Sequence, residues 1–118
     1  MRKIYHLGTC DTNRRIIKDL DLKNKKLVFQ DIKKESITEE QLEEMKEKIG
    51  SYESLFSRRS RSYSKLGLKD KILTEKDYQK LILSDYTFLL RPVVILNDKI
   101  FVGNSKLNIE NLNNCLEL

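Results

Sequence analysis

Cys10 is the residue in this chain best placed to do chemistry. It follows the strand-like run Lys3 to Leu7 and a turn at Gly8-Thr9, and it precedes a stretch where Ile16, Ile17 and Leu20 recur at helical spacing. A cysteine at a strand-to-helix junction faces the unpaired backbone N–H groups of the helix start, which favour thiolate over thiol. The size of that effect sets a limit. A free cysteine with a pKa of about 8.5 is only about 3% ionised at neutral pH. A helix N-terminus contributes roughly 0.3–1 kcal/mol, up to about 2 when partly buried, which amounts to about one pKa unit. A mostly ionised sulfur therefore needs a second positive influence. Two candidates stand near it in sequence: His6, four residues earlier, and Arg14, four residues later. Asp11 works the other way: its carboxylate either caps the helix or opposes ionisation of its neighbour.

Positive charge recurs at two further places. Arg58, Arg59 and Arg61 fall within four positions, and such a run repels itself unless water or an anion lies between its members. Arg91 immediately precedes Pro92 at the head of the apolar run Val93 to Leu96, so its direction is set by the fold. Arginines and helix-start N–H groups are the donors that a tetrahedral oxyanion needs. The second cysteine, Cys115, borders Leu112 and Leu116, and reads either as an internal resolving thiol or as a half-buried structural cysteine. With one histidine and no C-x-x-C spacing, no metal site is expected.

The elements that must position these groups follow from periodicity. Lys3 to Leu7 and Lys26 to Asp31 read as strands around the first helix, with Leu27-Val28-Phe29 expected to be buried; this is a parallel βαβ unit. Thr38-Glu39-Glu40-Gln41 is a capping-box pattern, and Leu42, Met45 and Ile49 form the stripe of a helix ending near Gly50. Thr74-Glu75-Lys76-Asp77 opens another, with Tyr78, Leu81 and Ile82 inward. Val93 to Leu96 and Lys99 to Val102 read as a hairpin around Asn97-Asp98, and Asn108 is expected to cap a last helix carrying Ile109, Leu112 and Leu116. The order predicts an α/β fold: a thioredoxin-like mixed sheet with a helical insertion at about 38–88, in a single domain over 1–118.

Composition narrows the function classes. The 118 residues are 39% apolar and 35% charged, with a formal net charge of +5. That suits one globular domain. Acidic and basic residues are interleaved with no long basic stripe, so no direct nucleic-acid surface is expected and a small anion is the better partner. There is no apolar run of about 18 residues to span a membrane. The first residues lack the pattern of a signal peptide, so a cytoplasmic location is expected, where two cysteines stay free thiols.

The segment Ile4-Tyr5-His6-x-x-x-Cys10 resembles the strand and nucleophile loop of the arsenate reductase (ArsC) family, with its YffB and Spx branches. Cys10-Asp11-Thr12 is similar to the Cys-Asp-Thr of the YffB branch, and Arg14 stands where the family has an arginine. Ser57-Arg58-Arg59-Ser60 with Tyr63-Ser64-Lys65-Leu66-Gly67-Leu68 resembles the family's basic loop. Leu89-Leu90-Arg91-Pro92-Val93-Val94 resembles its Arg-Pro strand, and Lys99 to Gly103 its hairpin return. Four segments in the right order cover nearly the whole chain. The departures are Leu7-Gly8 for Asn-Pro, Asp11 for a small residue, and Asn13 for a serine or the second cysteine of Cys-x-x-Cys. No arginine near Gly103 answers the third oxyanion arginine of the arsenate branch.

The resemblance implies that Cys10 is the nucleophile, with His6 beside it and Arg91 acting at the oxyanion. Thr12, Arg14 and either Arg58 or Arg59 would complete the anion site. The peptide before Pro92 is expected to be cis and to face Cys10. It implies a thiol-dependent oxidoreductase with no bound cofactor, acting on a small oxyanion or a thiol substrate in mixed disulfide. An external thiol reductant (glutathione, glutaredoxin or thioredoxin) would complete the cycle. The alternative is a Spx-type redox regulator that binds RNA polymerase.

Overall fold

The structure, a computed structural model, describes residues 1–117. The chain divides into two compact units, one formed by Met1–Glu35 with the residues from Arg91 onward, the other by Ser36–Leu90.

The first unit is built on a four-stranded mixed sheet with strands β1 (Arg2–His6), β2 (Val28–Asp31), β3 (Val93–Leu96) and β4 (Lys99–Val102), in the order β2-β1-β3-β4. β1 and β2 are parallel, with His6 opposite Asp31, as a βαβ connection requires. β3 runs antiparallel to both β1 and β4. Every residue of β3 is buried, as suits a central strand of aliphatic side chains. The turn to β4 relies on Asn97, which takes φ 60°, a conformation asparagine tolerates. Helix α1 (Asp11–Asp19) follows β1, and α5 (Lys106–Leu116) packs on β4. Their apolar faces close one core. Ile16, Ile17 and Leu22 meet Ile4, Val94, Leu96 and Phe101 of the sheet, with Leu112 and Leu116 of α5.

Two expectations fail here for physical reasons. Leu27-Val28-Phe29 is only partly buried: β2 is an outer strand, Val28 is 62% exposed, and Leu27 and Phe29 are half-buried against the core. An outer strand has a neighbour on one side only, so composition overstates its burial. Asn108 does not cap α5. Ser105 does, its Oγ accepting from the Asn108 N–H at 3.2 Å, while Asn108 Nδ2 donates to the Gly103 carbonyl at 2.8 Å.

The second unit is helical. Helix α2 (Glu39–Ile49) starts with the expected capping box between Thr38 and Gln41 and ends at Gly50, whose φ of 112° lets the chain turn away. Helix α3 (Arg61–Lys65) is a short turn capped by Ser60. Helix α4 (Glu75–Ser84) has a second capping box, Thr74 with Asp77, and buries Tyr78 and Ile82 while Leu81 is half-buried. Phe56 stacks on Phe88 and tilts against Tyr78 at 4.9 Å, forming an aromatic centre. Among the described residues, no helix is long and apolar enough to cross a membrane.

Candidate functional site

Cys10 is the N-cap of α1, with extended backbone angles of −89° and 117°. Its N–H donates to the Leu7 carbonyl and its own carbonyl accepts from Arg14 N–H, both at 3.0 Å. The thiol is free and half-buried. No side chain caps this helix, so its first N–H groups stay open beside the sulfur. Three residues hold the loop that carries it. Asn13, fully buried, accepts the Leu7 N–H at Oδ1 over 2.9 Å. Gly8 donates its N–H to Asp31 Oδ2 at 3.3 Å. Asp31 Oδ1 in turn accepts from Lys33 N–H. A Cβ on Gly8 would lie 2.5 Å from Asp31 Oδ2, which explains a glycine at this approach.

The two expected sources of positive charge behave differently from the sequence reading. Arg14 is ion-paired with Asp11 on the exposed side of α1, so Asp11 is not the helix cap and the arginine's charge is shared. His6 lies edge-on to Phe29, with ring centroids 5.5 Å apart. Burial lowers its pKa from the ordinary 6.5, and the Asp31 carboxylate only partly opposes this. His6 is thus a neutral imidazole at neutral pH, and the second positive influence expected of it is absent there. Its Nδ1 is buried without a hydrogen-bond partner, as is Asn13 Nδ2.

The Arg91-Pro92 peptide is cis, as expected. The β1–β3 register pairs Tyr5 with Val93, so its continuation sets Pro92 beside His6. Pro92 is anchored from β4's side, its carbonyl accepting from Gly103 N–H at 2.9 Å. Arg91 is half-buried. The first unit therefore collects Cys10, Thr12, His6 and Arg91-Pro92 at one end of its sheet, with Arg14 a turn along the helix.

Arg58 and Arg59 belong to the second unit and part ways within it. Arg58 is bound to Glu53 at 3.1 Å and to the Tyr78 hydroxyl at 2.9 Å, and its guanidinium lies 5.7 Å from the rings of both Phe56 and Tyr78. Arg59 is exposed. The run's self-repulsion is thus relieved at Arg58 by a carboxylate of the protein. Cys115 is half-buried against the apolar core of the first unit. Among the described residues, no cluster of histidine, cysteine and carboxylate could hold a metal.

The clamp on this loop is not visible in the sequence pattern. In the sequence Asn13 reads as a substitute for a serine or a second cysteine, and Asp31 as a strand end. The one signal was Gly8 itself, since a glycine before a functional loop often marks a close approach.

A mixed sheet with a cysteine heading its first helix and a cis-proline beside it defines the thioredoxin-like class. Within it, residues 5–112 match the ArsC family, and the chain belongs to that family. Solved structures agree on the fold. An arsenate reductase candidate from Yersinia pestis superposes with a TM-score of 0.78 over 100% of both chains at 19% identity. A possible arsenate reductase from Streptococcus mutans UA159 gives 0.75 at 28% identity, covering 96% of this chain and 98% of its own. The arsenate reductase from Vibrio cholerae gives 0.76 at 18% identity over 94% of each chain. No curated protein sequence matches the chain. Family and neighbours together support a thiol-dependent oxidoreductase in the broad sense.

Proposed function

We propose that this protein is an ArsC-like reductase in which the Cys10 thiolate attacks arsenate, a related oxyanion or a mixed disulfide. The observation that carries the reading is that Cys10, at the uncapped start of α1, shares one sheet end with Arg91-Pro92. In this reading the open N–H groups and Arg91 bind the oxyanion, Thr12 and Arg14 border it, and neutral His6 is free to accept the thiol proton.

For arsenate the balance is two thiols to one disulfide, As(V) to As(III), and one oxygen lost as water. Cys10 supplies the first sulfur and an external thiol (glutathione, glutaredoxin or thioredoxin) the second. Regenerating Cys10 requires a reducing, cytoplasmic compartment. The regulator reading lacks the second sulfur of a disulfide switch, because Asn13 stands there and is committed to Leu7.

The test is turnover of arsenate and of glutathione mixed disulfides with each reductant, for the native protein and Cys10→Ser. The expected outcome is turnover that disappears in the variant. Equal rates in both would sink the proposal.

A further inference from the structure

The second unit carries an apolar groove of about 340 Å³ that no step at Cys10 uses. That volume is at the low end of the range for ligand sites, and it suits single side chains rather than a folded element. Leu68, Leu73 and Leu81 line the groove, and Ile72 stands at its edge, 97% exposed. Scattered exposed apolar residues are ordinary, but one beside an apolar hollow marks a contact surface. Ile72 is not on a loose end. Lys71 N–H donates to the Leu68 carbonyl at 3.1 Å just before it, and the capping box of Thr74 with Asp77 begins two residues after it. Its β-branched side chain is thus held out to solvent by a fixed backbone and loses little freedom on being covered. The charge around the groove is basic. Lys71 and Lys80 line it, and among the described residues neither is in an ion pair. Asp77 is the one carboxylate in the lining. It accepts the Thr74 N–H at 2.8 Å and the Thr74 hydroxyl at 3.0 Å, bonds that lower its pKa, with Lys80 adding a smaller effect. Residues 65–80 hold five lysines against three carboxylates. Of these, Glu75 is also turned to backbone, accepting from the Tyr52 and Glu53 N–H groups at 2.7 and 3.0 Å.

We infer that this groove docks an acidic segment of a partner protein: an aliphatic or aromatic side chain lies against Ile72 and Leu81, and carboxylates on the same segment meet Lys71 and Lys80. Complementary charge selects the partner and speeds encounter, and the covered apolar side chain holds it. Two other occupants fit less well. A two-fold contact between copies of this chain, centred on the groove, sets each pair of lysines against another like it. An anionic bilayer meets the lysines, but its flat surface does not reach Leu68, which is 5% exposed. The site uses no residue of the Cys10 loop, so it stands or falls apart from the reductase reading.

The test follows the full-length protein by NMR as two short peptides are added, one with a leucine between glutamates and one with the same leucine between lysines. The first should give saturating shifts at Ile72, Leu73 and Leu81 that weaken with salt, and the second none. Lys71→Glu with Lys80→Glu should lower affinity for the first by about tenfold and create binding of the second. Ile72→Ser should also lower it by about tenfold, with the melting temperature unchanged because that side chain is 97% exposed. Lys33→Glu with Lys34→Glu, in the first unit, should alter it by less than about twofold. Cys10→Ser should bind the acidic peptide as the native protein does, so a failed reductase reading leaves this site intact. Absence of shifts with the acidic peptide, or equal shifts with both peptides, overturns the proposal. So does a patch that shifts only as the protein's own concentration rises, which marks a second copy, or only with phosphatidylserine vesicles, which marks a membrane.

Discussion

Helices α2 and α4 of the second unit begin with closed capping boxes, whereas α1 of the first begins with a bare cysteine. Thr38 and Thr74 each accept an N–H of the first turn, and Gln41 and Asp77 return the bond to the cap's own N–H. That is how a helix start is made stable. Cys10 makes no such bond, and the loop before it is held instead by Asn13 and Asp31. Stability at this junction has been moved off the cap and onto its neighbours, which leaves the helix N–H groups and the sulfur open to a ligand.

The comparison can be broken most decisively at Cys10. Cys10→Ser should lose all reductase turnover while gaining the hydroxyl cap that α1 lacks, so denaturant unfolding should show it about 0.5–1 kcal/mol more stable. A Cys10→Ser protein that is less stable would mean the thiol is structural. Asn13→Ala comes next. It leaves the buried Leu7 N–H without a partner and should cost about 1–3 kcal/mol in the same assay, with slower alkylation of Cys10. Thr38→Ala and Thr74→Ala should each cost about 0.5–2 kcal/mol and leave alkylation of Cys10 untouched.

The smallest effect concerns His6. Its folded pKa lies below the unfolded value of 6.5, so the unfolded chain takes up the proton first as pH falls. Stability should therefore drop as pH goes down through 6.5 and level off once the folded His6 is also protonated. His6→Gln should flatten that part of the stability–pH curve. Identical curves for the two proteins would show that burial of the imidazole costs nothing measurable.

Much of this was legible without coordinates because it depends on local rules. The capping boxes at Thr38 and Thr74, the Gly50 stop, the Asn97 turn and the aliphatic run Val93 to Leu96 each carry their conformation in a few adjacent residues. So did Cys10's place at a strand-to-helix junction. The misreadings all involve partners distant in sequence or a choice among near neighbours. Arg58 and Arg59 looked equivalent until Tyr78, twenty residues away, and Glu53 took one of them. Ser105 and Asn108 are both good caps, and the backbone chose between them.

The sequence by itself determined which residues could be a nucleophile, where helices start and stop, and the strand–helix–strand order that makes β1 and β2 parallel. Only the tertiary structure decided that β2 lies at the edge, that His6 is desolvated, and that Asp31 and Asn13 clamp the loop before Cys10. The reason is physical. Propensity and capping act over one turn of chain, whereas burial, desolvation and the meeting of Gly8 with Asp31 depend on which strands become neighbours.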